Sequence, residues 1–328
     1  MSLASPPLEG QTNSLADWVE FNILSSEYKL YRFSSLVRLV DEEQEEENPD
    51  IAEQDATNEG LLESVLEELN LRNKSLSSAY PFYFNDTQTE LMLHDELTEG
   101  RYIYLYCLLF SHINREDVLI VDPPSSNADR DLMQICSTYA AAGIVQGNAV
   151  SFGFPRPDHT GFLQALKNTY ADFGEGEVHN NIPPGAPDSE KDARVDVIAW
   201  ENSLDGASGC KYLLGQVASG KNWGDKSISG EIEPFHSTWF VQKPASTPTP
   251  AMFIPFCIDN KRGATLHETM AFLTYRYGDV YYRYRLPKHA EDGFLLAKND
   301  INGKYRIDRI DEFHKIKSYV ENFLNTLN

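Results

Sequence analysis

Two short apolar segments joined by a polar turn constrain the fold of this chain most strongly. The segments RVDVIAW (194–200) and KYLLGQVA (211–218) have the length and the β-branched or aromatic content of strands. The turn NSLDGASG (202–209) contains the Gly, Asp and Ser residues typical of hairpin connections. We therefore predict an antiparallel hairpin, with further strands at AVSFGF (149–154) and AMFIPFCI (251–258).

The predicted hairpin carries polar residues within its apolar strands. Asp196 lies in the first strand and Gln216 near the end of the second, while Lys221 and Lys226 follow in the turn GKNWGDK. Magnesium-assisted hydrolysis of a phosphodiester needs an acidic ligand, a second oxygen ligand and a cation near the developing charge. An antiparallel pair of strands can place the first two side by side, so these four residues are candidate catalytic groups.

KDARVDVIAW followed by LLGQVASGKNWGDK resembles the PD-(D/E)XK, or restriction-endonuclease-like, nuclease superfamily over roughly residues 126–286. The resemblance implies that Asp196 and Gln216 bind Mg²⁺ or Mn²⁺, and that Lys221 or Lys226 replaces the motif lysine, whose usual position is Ala218. It also implies a helix acid, for which Glu175 and Glu177 are the candidates. Similarity to nucleases of bacterial anti-phage systems implies a defence role beside a helicase, ATPase or sensor partner.

Candidate DNA contacts lie in two places. Asn222 and Trp223 belong to the lysine-bearing turn. The segment TYRYGDVYYRYRLPKH (274–289) alternates tyrosines with Arg276, Arg283 and Arg285, and aromatic rings among cations suit nucleic-acid bases and backbone. A strand pair with its aromatic face on the core is the alternative interpretation of that segment.

Helical periodicity defines the remaining organisation. We predict a mainly helical N-terminal region over 1–125, in which the acidic stretch DEEQEEENPDIAEQDATNEG (41–60) is a flexible insert because it has few large apolar groups. Residues 126–328 form the second predicted domain, with helices at 129–145, 159–173 and 309–327. The predicted fold class is α/β, a restriction-endonuclease-like core with a mixed central sheet flanked by helices.

The formal net charge of −22 argues against a passive coat for DNA, since phosphate binding relies on Lys and Arg. The charge instead suggests a protein partner or a local basic groove, and an oligomer remains open. No apolar run reaches the roughly 20 residues that span a bilayer, so we expect a cytoplasmic protein without a membrane partner.

The leading hypothesis is a metal-dependent DNA endonuclease. One alternative is a catalytically decayed scaffold or DNA-binding subunit, because Gln216 and Ala218 depart from the motif. Another is a degenerate P-loop NTPase, since Gly215 to Lys221 matches G-x-x-x-x-G-K. In that motif a Ser or Thr hydroxyl follows the lysine and binds magnesium, whereas Asn222 follows here.

Overall fold

The computed structural model describes residues 3–8, 10–44, 51–203, 205–260 and 263–327, with residues 41–44 and 51–58 described by their backbone alone. The helices are α1 (Thr12–Ser25), α2 (Phe33–Gln44), α3 (Ile51–Leu76), α4 (Glu99–Ser111), α5 (Asn127–Val145), α6 (Phe162–Phe173), α7 (Ile232–Trp239), α8 (Leu266–Tyr277), α9 (Leu286–Lys298) and α10 (Phe313–Leu327). The strands are β1 (Leu30–Arg32), β2 (Phe82–Phe84), β3 (Glu90–Leu93), β4 (Asn148–Ser151), β5 (Glu177–Val178), β6 (Val197–Trp200), β7 (Tyr212–Val217), β8 (Phe240–Gln242), β9 (Pro248–Phe253) and β10 (Asp279–Tyr281).

The chain divides into two compact units. The first comprises residues 1–125 with 315–328, and the second comprises residues 126–314. Most of the C-terminal helix α10 therefore belongs to the first unit, whereas the sequence analysis placed it in the second domain. Among the described residues, no helix has the length and apolar character needed to cross a membrane.

The first unit surrounds a buried arginine. Arg72 of α3 is fully buried and bonds three acids: Asp17 Oδ1 at 2.6 Å, Glu20 Oε1 at 2.9 Å and Glu68 Oε1 at 2.9 Å. Glu20 also accepts a hydrogen bond from the Tyr80 hydroxyl at 2.7 Å. Helices α1 and α3 are thus joined by buried charge as well as by apolar packing.

The acidic stretch 41–60 differs from its predicted form where the structure describes it. Residues 41–44 continue α2 and residues 51–60 begin α3, while residues 45–50 lie outside the described residues. Glu, Gln and Ala all have high helix propensity. Farther along α3, Val65 and Leu69 are fully buried, so the core anchors the helix that this stretch begins.

The second unit is built on a five-stranded mixed sheet of order β10-β9-β7-β6-β4. The predicted hairpin is confirmed as β6 and β7, with Val197 opposite Gly215 and Trp200 opposite Tyr212. Strand β6 is antiparallel to both of its neighbours, while β7, β9 and β10 are parallel. Consequently β4, β7, β9 and β10 all end at one edge of the sheet, the edge at which β6 begins.

Alternation along the hairpin determines which side chains share a face. Ile198, Trp200, Tyr212 and Leu214 all join the apolar cluster formed with α6 and α7. Gln216 has the same parity as Tyr212 and Leu214, so the alternation assigns it to that face. The alternation ends before β6, because Val195 joins the same cluster as Ile198. Helix α5 packs against β4, β6 and β7 and covers the other face.

The outer strand β4 is bonded on its free side by a segment from the end of the unit. Ala149 N donates to Arg306 O at 2.8 Å, and Asp308 N donates to Ala149 O at 2.9 Å. Ile307 thereby forms a parallel bridge with Ala149. Residues 306–308 therefore extend the sheet by one short segment beside the edge strand β4.

Candidate functional site

Asp196 lies where β6 begins, at the edge where the parallel strands end. Its carbonyl oxygen accepts hydrogen bonds from Phe152 N at 2.8 Å, Gly153 N at 2.9 Å and Gln134 Nε2 at 2.6 Å. Its own amide donates to Gly215 O at 2.8 Å. The backbone of Asp196 is therefore fixed from both neighbouring strands and from α5. The carboxyl ends of parallel strands are also where open α/β sheets bind ligands.

The Asp196 carboxyl group has a pKa well above the ordinary value of an aspartate. Burial raises its pKa to about 7, and although the Val217 amide opposes the shift, the negative charge of Asp192 adds to it. Oδ2 accepts a hydrogen bond from Val217 N at 2.7 Å. The charge of Lys226 also lowers the pKa, but no cation bonds this carboxylate among the described residues. A nearby positive charge would therefore favour its ionised form.

Gln216 is the second candidate ligand. Asp196 bonds the residues on both sides of it, since its amide donates to Gly215 O at 2.8 Å and its Oδ2 accepts from Val217 N at 2.7 Å. Its side chain is buried, and Oε1 has no hydrogen-bond partner within the described part of the chain. A buried acceptor without a donor costs free energy of about 1 to 3 kcal/mol. Such an orphaned oxygen could bind a cation instead of a hydrogen-bond donor.

The two candidate lysines follow β7. Both Lys221 and Lys226 are exposed, and Lys226 is the one whose charge acts on Asp196. Ala218, at the position of the motif lysine, is fully buried in the apolar cluster with Met252 and Tyr277. A lysine at position 218 would place its charge in that core, which explains why the cation must come from farther along the chain.

Glu175 and Glu177 do not join Asp196, contrary to their predicted role as metal ligands. Glu175 is buried at the turn end of the hairpin, where it accepts hydrogen bonds from Ser246 N at 2.7 Å, Ser246 Oγ at 2.8 Å and Gly209 N at 3.1 Å. Glu177 is exposed in β5, opposite Gln242. The length of β6 separates this turn end from Asp196. Because Glu175 bonds Gly209 in the hairpin turn, it stabilises that turn.

The candidate nucleic-acid contacts fall into exposed and buried groups. Asn222, Arg276 and Arg285 are exposed. Trp223 is half-buried, with its ring 5.3 Å from that of Tyr277. Arg283 is fully buried, with its guanidinium 5.8 Å from the centre of the Tyr284 ring. Arg283 has no exposed surface, so it cannot contact DNA in this structure.

Gln134 is a site residue that the sequence analysis missed. It lies on α5, 62 positions from Asp196, within a run of buried apolar residues. A Cβ at Gly153 would lie 2.9 Å from Asp196 Oδ1 and 3.2 Å from Gln134 Oε1, so glycine leaves open space between these oxygens. A lone amide in an apolar helix was the available signal, but the sequence offered nothing to pair it with Asp196.

The oxygen groups at this edge fit a hard cation of modest affinity. Within the described ranges, no cluster of three or more His, Cys, Asp or Glu side chains can hold a metal. Magnesium, however, commonly uses one or two carboxylates and keeps several waters. Asp196 is the carboxylate at this edge, and the buried amide oxygen of Gln216 is the neutral oxygen on the neighbouring strand.

A P-loop would need a helix whose N-terminal amides face the phosphates. Here β7 is followed by a three-residue 3-10 helix, Trp223–Asp225. That geometry does not favour the nucleotide-binding alternative.

Comparison of the chain with protein-family models, with curated proteins and with solved structures finds no match.

Proposed function

We propose that this chain is a Mg²⁺-dependent nuclease that hydrolyses DNA phosphodiesters at the edge where β6 begins. The observation that carries the proposal is the buried, unpartnered Oε1 of Gln216, next to the residue whose amide bonds Asp196, a carboxyl group with a pKa of about 7. Both features are unfavourable in the isolated protein and become favourable when a divalent cation binds. Mn²⁺ suits the same oxygen ligands.

Each residue of the site has a distinct role in this proposal. Asp196 supplies the charge that holds the cation, and Gln216 supplies a neutral oxygen. Lys226, exposed beside them, neutralises charge that develops on the phosphate. A bound magnesium ion would lower the pKa of water and polarise the phosphoryl oxygen. Gln134 and Val217 position Asp196 through its backbone and its Oδ2 respectively.

The acidic chain is proposed to act in the cytoplasm with a partner. A net charge of −22 weakens the attraction to DNA, so a helicase, ATPase or sensor subunit would bring the nuclease to its substrate. The resemblance to defence-associated nucleases supports an effector role against phage.

The proposal is tested by incubating supercoiled plasmid, linear duplex, single-stranded DNA and RNA with the full chain in Mg²⁺, Mn²⁺ or EDTA. We expect cleavage in either metal and none in EDTA. Asp196→Asn retains an oxygen for the Val217 amide but removes the charge, and cleavage should fall by at least about 100-fold. Glu177→Gln, an exposed acid remote from the site, is the matched control. Equal cleavage by Asp196→Asn and wild type refutes the assignment.

A catalytically decayed scaffold is the second candidate. It is favoured by the neutral Gln216 and by the buried Ala218 at the motif lysine position. In that case the wild-type chain cuts none of the substrates in either metal, while it still binds DNA or a partner protein.

A further inference from the structure

One face of α8 is exposed and aromatic. Phe272 and Tyr275 are 63% and 90% exposed, and Arg276 beside them is exposed as well. Residues three and four apart share a helix face, so these side chains form one surface. An exposed aromatic ring of this kind is not packed against the core of its own chain. Its face is therefore accessible to a ligand.

This α8 face is attached to the turn that carries Lys226. Ser227 Oγ donates to Arg276 O at 2.8 Å, and the Tyr277 hydroxyl donates to Gly224 O at 2.7 Å. Arg276 Nη2 also donates to Gly224 O at 3.4 Å. The chain runs into this turn from Val217, whose amide bonds Asp196 Oδ2 at 2.7 Å, so residues 217–227 link the aromatic face to the proposed catalytic edge.

We propose that the α8 face binds unpaired bases of a single-stranded nucleic acid whose backbone continues past Lys226 to Asp196. This inference rests on the proposed nuclease function and specifies its substrate. Tyr275 and Phe272 present ring faces for base stacking, while Arg276 and Lys226 attract phosphates. Base stacking carries no charge, so it gives affinity to a chain whose net charge of −22 repels nucleic acid.

The geometry of the rings favours single strands over duplex. Bases in a duplex are already stacked on one another and present only their edges in the grooves. A ring on an exposed helix face reaches the face of a base only when that base is unpaired.

The test is fluorescence anisotropy of a fluorescein-labelled 20-nucleotide oligothymidine and of a duplex of equal length. The full chain carries Asp196→Asn to prevent cleavage, and Mg²⁺ is present. Tyr275→Ala should raise the Kd for the single strand by about 5- to 150-fold, whereas Tyr275→Phe should retain binding because the ring is kept. Arg276→Ala should reduce the slope of log Kd against log salt by about 0.7, a change that loss of stacking does not produce.

Tyr28→Ala, which removes an 80% exposed tyrosine from the first unit, is the matched control and should leave the Kd unchanged. Equal single-strand binding by Tyr275→Ala and its parent overturns the inference, as does an equal loss of duplex and single-strand binding. Absence of nucleic-acid binding by the parent, as expected if the face docks a protein instead, also overturns it. Tyr275-dependent binding without cleavage by the wild type refutes the nuclease function alone.

Discussion

Asp196 and Gln216 are polar residues among apolar neighbours in the sheet, and each lowers the stability of the fold when nothing is bound. The carboxylate holds its proton near neutral pH, and the amide leaves an acceptor without a donor. The strand and turn patterns predicted that the two residues lie on neighbouring segments of one hairpin. They did not predict the partners of Asp196, since Gln134 and Gly153 reach Asp196 through the packing of α5 and the end of β4.

The raised pKa of Asp196 predicts a pH-dependent stability. Its ordinary value is 3.8 and its value in the fold is about 7, so folding favours the protonated form. The stability that this form contributes is complete below pH 3.8 and is lost as the pH rises through 7. In EDTA, we expect Asp196→Asn to melt above the wild type at pH 8 and to lose this advantage as the pH falls.

Magnesium should reverse that difference. At pH 8 the cation binds the ionised carboxylate of the folded chain and raises the melting temperature of the wild type, but not that of Asp196→Asn. At pH 6 protons compete with the metal, so the rise should be smaller. Differential scanning fluorimetry measures both effects. A wild-type melting temperature that is insensitive to magnesium at pH 8 would contradict a metal site at Asp196.

At the scale of elements, the two ends of the β6–β7 hairpin have different roles. Asp196 lies at the open end, while Glu175 ties the turn end through Gly209 and Ser246. Sequence reasoning found the hairpin because its strands and turn are local patterns. It assigned Glu175 to the wrong end because nothing in the chain order tells which end of a strand a distant helix terminus approaches. The same limit applies to Arg283, whose aromatic neighbours fit either a surface or a core.

Glu175→Ala should destabilise the turn without affecting the metal. Although burial acts against it, hydrogen bonds from Ser246 and Gly209 lower the pKa of Glu175. We expect a loss of about 2 to 3 kcal/mol in the free energy of unfolding, measured by urea denaturation. The loss is complete above pH 4.5, the ordinary pKa of the group, and shrinks as acid protonates the wild-type carboxylate.

Glu177→Ala, two residues away and exposed, is the control and should change stability little. Magnesium should still raise the melting temperature of Glu175→Ala. Loss of that response would mean that Glu175 contributes to metal binding after all.

At the scale of the whole molecule, the two compact units carry different kinds of buried charge. The second unit holds the Asp196 carboxylate at a proposed binding edge. The first pairs Asp17, Glu20 and Glu68 with the single guanidinium of Arg72. Sequence periodicity predicted a mainly helical N-terminal region, but it could not predict this cluster, because its members lie on separate elements and meet only through packing.

Arg72→Met should therefore destabilise the chain strongly. Removal of the guanidinium leaves buried carboxylates without their cation, at a cost of about 3 to 5 kcal/mol in the free energy of unfolding. Arg32→Met removes an exposed ion pair, Arg32 to Glu90 at 2.8 Å, and should cost less than about 1 kcal/mol. Urea denaturation followed by circular dichroism compares the two. Similar costs for both substitutions would show that the buried cluster is not held by its charge.

The bond between β4 and residues 306–308 has a consequence for self-association. A bare outer strand offers unpaired amides and carbonyls to any neighbouring molecule and can begin fibre-like assembly. Ile307 and its neighbours occupy the middle of that margin at Ala149. A chain truncated before this segment would therefore expose the edge of β4. In the intact chain the segment prevents strands of other molecules from pairing there.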